Sequence, residues 1–252
     1  MMEDISGQAV WITGAGTGIG RAMAIAFVRA GCRVAITGRR PEPLAETLRL
    51  APGAVSIPGD VADPEGVAQA HAAVVHAIGP VQIMVNNAGT NVPKRAWRDL
   101  SAADMATVVD VNLKGPFMCT LAVLPAMRAA RRGLLIHTVS NAATGIYAVA
   151  GAAYTASKHG ARAMSATLNA EEGIHGIRSV CINPGEVETP ILDARPQPTS
   201  AQDRALMVQP EDIAEAALFA ARMPPRTCVA EMLITPTDNN FYRATARALA
   251  AS

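Results

Sequence analysis

The chain has 252 residues, 50% of them hydrophobic and 17% charged, which is enough to bury a large core in a single α/β domain. A formal net charge of +1 gives no electrostatic footprint for nucleic acid or for an anionic membrane surface. The start, "MMEDISGQAV", has no basic stretch leading into an apolar core, no uncharged apolar run reaches spanning length, and Cys32, Cys119, Cys181 and Cys228 are scattered without metal-ligand spacing. Together these predict a cytoplasmic protein with buried free thiols, no metal and no membrane span.

Short apolar runs alternate with helical patterns along the chain. "AVWIT" (9–13) predicts the first strand, followed by a glycine-rich turn and the helix "RAMAIAFVRAG", which Gly31 stops. "RVAIT" (33–37) predicts the second strand, "AVSIPGDV" (54–61) carries the third, and "VQIMVNNAG" (81–89) carries the fourth. A helix opens at Ser101, with Asp104 three residues on as a capping box. "LLIHTVS" (134–140), "RSVCINPG" (178–185) and "EMLITP" (231–236) complete seven strands. Most of them are continuously apolar rather than alternating, so both faces should be covered by helices. The pattern predicts a doubly wound, Rossmann-type parallel sheet with helices on both faces, forming one domain over 1–252. In such sheets ligands bind beyond the carboxyl ends of the strands, so chemistry is sought at each strand end.

The first strand ends in "TGAGTGIG". Gly14, Gly18 and Gly20 permit a tight turn and close backbone approach, and the next helix points free N–H groups at the ligand. A strand before the run and a helix after it form the context of a dinucleotide fingerprint. The second strand ends in "ITGRR": Gly38 stands where an acid selecting NAD would sit, and the Arg39 and Arg40 guanidiniums suit a phosphate. This favours NADP(H) over NAD(H). Tyr154 and Lys158, four apart in "YTASK", share a helix face on which a cation lowers the proton affinity of the phenol.

"TGAGTGIG", "NNAG" (86–89), "VN" (111–112), Ser140, "YTASK" (154–158) and "NPGEVETP" (183–190) occur in the order found in the short-chain dehydrogenase/reductase family. The chain resembles that family from about residue 5 to about residue 236. The resemblance implies an NADP(H)-dependent oxidoreductase acting on a small carbonyl or alcohol substrate. Tyr154 would be its general acid/base, Ser140 would bond the carbonyl oxygen, Lys158 would support Tyr154 and reach the nicotinamide ribose, and Asn112 would hold a water leading to Lys158. It implies cofactor contacts from Thr17, Ile19, Asp60, Val61, Asn87, Ala88, Gly89, Pro184, Gly185, Val187 and Thr189 beside the glycines, Arg39 and Arg40. Thr17 stands where some NADP-using relatives carry a second basic residue.

By the same resemblance, residues 90–97, 141–151 and the segment after Pro190 line the substrate pocket, and a lid spans about 190–208. Lys94, Arg95 and Arg195 read as surface charges rather than substrate ligands, His159 as packing or surface, and Glu186 as pocket or surface. Small residues at Gly160, Ala161, Ala163, Ser165, Ala166 and Ala170 suit a helix pairing with a second subunit, in a homodimer or homotetramer. The C-terminal "RTCVAEMLITPTDNN" departs from the glycine-rich pattern common in the family. The alternative, a non-catalytic NADP(H)-binding regulator or scaffold, is expected to lack the tyrosine, lysine or serine that this chain keeps; a dehydratase or epimerase is a third reading.

Overall fold

A computed structural model describes residues 2–194 and 199–238. Seven strands, β1 (Ala9–Thr13), β2 (Arg33–Thr37), β3 (Val55–Ser56), β4 (Ile83–Asn86), β5 (Gly133–Thr138), β6 (Ile177–Pro184) and β7 (Glu231–Ile234), form one sheet in the order β3-β2-β1-β4-β5-β6-β7. Every pairing is parallel. The order reverses between β1 and β4, which opens a crevice at their carboxyl ends.

The continuous apolar runs have the cause the sequence suggested. On β1, Val10 and Ile12 join the core with α1 (Gly18–Arg29), α2 (Pro41–Leu50) and α8 (Pro210–Arg222). Ala9 and Trp11 face the opposite core, built with α3 (Pro64–Ile78) and α5 (Gly115–Ala130). All five β1 residues are buried, so no solvent face exists to demand alternation. α6 (Ala152–Glu172) covers β5 and β6 on the α3–α5 side through Ala161, Val139 and Cys181.

Helix termini follow the local rules. Gly31 adopts φ 79° just past α1. The Ser101 hydroxyl accepts from Asp104 N at 3.0 Å and opens α4 (Ala102–Val109), but it also donates to the Asp104 carboxylate at 2.7 Å, so half of the predicted capping box forms. α4 runs through a π-turn, Asp110–Lys114, into α5. The continuous helix Ala102–Ala130 reaches membrane-spanning length and apolarity at mean hydropathy 1.3, with half of that window buried inside the protein.

Two expectations are corrected. The third strand is Val55–Ser56 rather than 54–61. The chain still tracks β2 beyond it, with Ile57 N bonding Ile36 O at 2.9 Å and Gly59 N bonding Gly38 O at 3.1 Å, and Pro58 between them sits where an edge-strand N–H would point away from β2. Cys32, Cys119 and Cys181 are buried free thiols, whereas Cys228, in the connection before β7, is exposed. A buried polar chain crosses the sheet from β4 to β6. Asn86 Nδ2 bonds Thr120 Oγ1 and His137 Nδ1, His137 Nε2 meets Ser179 Oγ at 3.1 Å, and Ser179 Oγ meets Ser165 Oγ at 2.7 Å. Burial, assisted by the Lys158 charge, drives the His137 pKa down to about 3, so the ring is neutral at physiological pH.

Candidate active site

A cleft of about 360 Å³ crosses the carboxyl ends of β1 to β6, from Arg39 and Arg40 at one lip to Ser140, Tyr154 and Lys158 at the other. Two glycines make its first half possible. Gly14 has φ +65° and a Cβ there would stand 2.6 Å from Ala88 Cα; Gly18 has φ +53° and a Cβ would stand 3.0 Å from Thr189 Cγ2. The β1 loop therefore meets the loop after β4 at backbone distance and the Thr189 side chain of the loop after β6. α1 starts from Thr17 with no side-chain cap and no acid in its first turn, which leaves its N–H groups and positive pole open to an anion. Arg21 Nη2 fastens the loop through Gly16 O at 2.6 Å. Thr13 Oγ1 accepts from both Asn87 N and Ala88 N at 3.2 Å, so β1 sets the position of the β4 loop.

Of the residues expected at the cofactor, Gly14, Thr17, Gly18, Ile19, Arg39, Arg40, Asp60, Val61, Asn87, Ala88, Gly89, Pro184, Gly185, Val187 and Thr189 line the cleft with Tyr154 and Lys158. Gly20 does not line it; the glycine lies one turn behind, against Asn87. Asp60 lies past the end of β3, where its carboxylate accepts from Ala62 N at 3.0 Å. The cap of α3 is Asp63 instead. Arg39 and Arg40 are exposed.

At the other end, Asn112 sits in the π-turn, buried behind the lining. Its Oδ1 accepts from Thr90 N at 2.8 Å, and its Nδ2 donates to Thr90 O at 2.9 Å and Ser157 Oγ at 3.3 Å. The amide thereby ties the loop after β4 to α6. Ser140 lies two residues past β5, with its hydroxyl accepting from Ala142 N at 3.1 Å. Lys158 is buried, donates to Thr138 O at 2.9 Å, and stands 5.5 Å from the centre of the Tyr154 ring. Burial lowers its pKa to about 8, slightly offset by Cys181. Burial also raises the Tyr154 pKa, against a hydrogen bond from Ser140 and the charge of Arg95, which both lower it. The protein alone therefore does not produce the phenolate expected from the Tyr–Lys spacing: desolvation outweighs the Ser140 hydrogen bond and the Arg95 charge, and Tyr154 stays a neutral acid at neutral pH.

Of the segments expected to line a substrate pocket, only part lies in the cleft wall, and one residue is corrected. Asn91, Arg95, Val149, Ala150 and Ile191 line the cleft, and Glu186 does too. Lys94 is exposed, but Arg95 is buried at 9% exposure and not a surface charge. His159 is exposed and bonded to Thr155 O at 3.0 Å. Arg195 lies outside the described residues, as does part of the expected lid. The described ends of that segment are fastened by Glu188 N to Val208 O at 2.9 Å and by Arg204, which pairs with Glu188 at 3.1 Å and with Asp193. Thr138 and Arg21 were missed. Thr138 ends β5 inside an apolar run, and its Oγ1 is a buried orphan at the cleft among the described residues. Arg21 lies in the first turn of α1 and was legible only as a helix residue.

Uncapped N–H groups, an orphan hydroxyl in the floor, two loops brought to backbone contact and arginines at one lip fit an extended dinucleotide with a phosphate at its adenosine end. Among the described residues no cluster of three or more His, Cys, Asp or Glu suits a metal.

A family model described as short chain dehydrogenase matches residues 8–199. L-fucose dehydrogenase of Bos taurus is 30% identical over 241 residues, covering 91% of this chain and 88% of that protein. Borneol dehydrogenase, mitochondrial, of Lavandula x intermedia is 35% identical over 224 residues, covering 88% and 86%. Among solved structures, a metagenomic short-chain oxidoreductase in complex with NADP superposes with a TM-score of 0.80 at 30% identity, covering 93% of this chain and 99% of that one.

Proposed function

The chain belongs to the short chain dehydrogenase family, and from that premise we propose that it is an NADP(H)-dependent oxidoreductase interconverting a carbonyl and a secondary alcohol. The observation that carries this reading is the convergence of Ser140, Tyr154 and Lys158 on the cleft that the glycine loop opens. Bound nicotinamide supplies hydride for reduction or accepts it in oxidation, and in its oxidised form adds a positive charge beside the site. Tyr154 delivers the proton to the carbonyl oxygen in reduction, a role that suits the neutral acid which burial maintains. Ser140 holds that oxygen through its hydroxyl. Lys158, anchored on Thr138 O, is oriented by the sheet rather than by solvent, and its pKa of about 8 lets it pass a proton near neutrality. Asn112 keeps Thr90 and Ser157 in register behind it. Arg39 and Arg40 favour NADP(H) through the 2′-phosphate.

The test is oxidation of NADPH against a panel of ketones, aldehydes and quinones. Turnover of any of them establishes the reaction class, and tight NADPH binding without turnover would support a binding-only protein instead. We further propose a homo-oligomer paired through α5 and α6. Phe117 and Leu121 are 44% and 64% exposed on α5, and Ala163, Ala166 and Ala170 present a row of exposed small side chains on α6. A sedimenting species at the chain mass of 26.2 kDa would refute it.

A further inference from the structure

Arg21 and Thr47 stand behind the cleft wall and tie two of its parts together. Neither lines the cleft, so any effect on a bound dinucleotide passes through other residues. Arg21 is half-buried and turns its guanidinium back onto the glycine loop: Nη2 donates to Gly16 O at 2.6 Å, and Nε to the same oxygen at 3.1 Å. Nε also donates to Thr47 Oγ1 at 3.1 Å, and Nη2 reaches Pro43 O at 3.4 Å, both on α2. Thr47 is fully buried, and the nearest acceptor for its one hydroxyl proton is Ala15 O in the loop, at 2.9 Å. Gly16 completes the seam: a Cβ there would stand 3.0 Å from Pro43 Cβ, so the loop and the start of α2 are in contact.

The parts joined in this way are the two suited to phosphate. The glycine loop leads into the uncapped start of α1, and α2 starts directly after Arg39 and Arg40. Gly16, Thr17, Gly18, Arg39, Arg40 and Pro43 all line the cleft. In NADP(H) the pyrophosphate and the 2′-phosphate leave the same ribose, so covalent geometry fixes the distance between them. A site for both must hold its two anion-binding parts at that distance. Arg39 and Arg40 are exposed, so the backbone at the start of α2 decides where their side chains begin. A 2′-hydroxyl makes no such demand.

We infer that Arg21 and Thr47 are positioning residues for cofactor choice. They clamp the glycine loop to the start of α2, and so keep Arg39 and Arg40 at the distance a 2′-phosphate requires once the pyrophosphate is seated on the loop. This rests on the NADP(H) reading and extends it to residues that act on the choice without touching the cofactor. Opening the clamp lets the start of α2 drift from the loop, which weakens the phosphate contact of NADPH and removes nothing that NADH uses.

The experiment titrates NADPH and NADH into the full chain and its variants, followed by nicotinamide fluorescence, and reads the ratio of the two dissociation constants. Thr47→Val keeps the side-chain shape without the hydroxyl, and Arg21→Met keeps an unbranched stem without the guanidinium. Each should lower the preference for NADPH by roughly three- to tenfold, the worth of a hydrogen bond, while NADH affinity stays within about twofold of wild type. Thr47→Ser, which keeps the hydroxyl, should keep the wild-type ratio. With Arg39 and Arg40 both replaced by alanine, Thr47→Val should change the ratio no further, because the clamp acts through them. A tie that only stabilises the loop would weaken both cofactors alike; that outcome overturns the inference, as does a wild-type ratio in Thr47→Val or Arg21→Met. NADH affinity reports whether each variant is folded, and if Thr47→Val does not fold, Arg21→Met decides. A wild type with no preference for NADPH removes the NADP(H) reading and the inference with it, whereas a wild-type preference that survives in the variants removes the inference alone.

Discussion

The two ends of the cleft solve different problems with different materials. The adenosine end is backbone: a glycine loop, the uncapped start of α1, and two exposed arginines at the lip. Its charges stay in solvent, so they are screened by salt. The reaction end is side chain and more buried: Asn112, Ser140 and Lys158 are 1%, 8% and 5% exposed, and Tyr154 is half-buried. There burial sets the chemistry, raising the phenol of Tyr154 and lowering Lys158 to about 8. Desolvation moves both groups towards their neutral forms. An end that binds can tolerate water; an end that moves protons must control it.

The widest separation between the two ends should come from Tyr154→Phe. If the hydroxyl is the proton donor, turnover falls by ~10²–10⁴-fold while NADPH affinity stays within about threefold, because the ring keeps its packing. Steady-state rates and a fluorescence titration of NADPH check both halves, and near-normal turnover would remove Tyr154 from the mechanism.

Lys158 offers a second test, read on stability without substrate. Its pKa is about 8 folded against 10.5 for an ordinary lysine, so the folded state binds fewer protons than the unfolded state between those values. Stability then rises with pH across that window, and the destabilising effect of burying the ammonium is fully present below about pH 8. Compared with Lys158→Met, which has no charge to desolvate, the wild type should gain up to about 3 kcal/mol between pH 8 and 10.5. Denaturant unfolding of both proteins across that range measures it. A constant difference would show that Lys158 keeps its charge in the fold at no cost.

The strands were legible because a parallel sheet covered on both faces writes continuous apolar runs, and β1, β2, β5 and β6 fall within a residue or two of where those runs lie. β3 was overdrawn because "IPGDV" keeps tracking β2 through single bonds at Ile57 and Gly59 after the strand proper has ended at Ser56. The residue types of the site could be read wherever backbone chemistry demands them, as at Gly14 and Gly18. Two features were not legible. Nothing local in "VVDVNLK" announces a π-turn at Asn112. Arg95 sits among polar neighbours and is buried by contacts to residues 149 and 151, more than fifty positions away, so its surroundings exist only after folding.

The smallest expected effect tests the adenosine end and divides its two arginines. Both line the cleft and both are exposed, so each contributes a screened contact rather than a buried one. They differ in what the backbone asks of them. Arg40 is the residue from which α2 starts, with φ −103° and ψ 120°, and Pro41 follows it directly, so its main chain is committed to a helix entry. Arg39 comes first after Gly38, at the end of β2, where the ribose of a dinucleotide crossing the sheet would lie. Gly38 presents no carboxylate to bond a 2′-hydroxyl or to repel a 2′-phosphate. Arg39→Ala should weaken NADPH by roughly tenfold, the lower range for a charged hydrogen bond given its exposure, and leave NADH almost unchanged. Arg40→Ala should weaken NADPH by only about threefold, as expected of a solvated surface charge. Raising the salt from 50 to 500 mM should shrink the wild-type preference for NADPH, and should change little in Arg39→Ala. Titrations of both reduced cofactors into the three proteins check this. Equal NADPH and NADH affinity in the wild type would mean that the arginines are a solvated turn and that the adenosine end does not choose between the two cofactors.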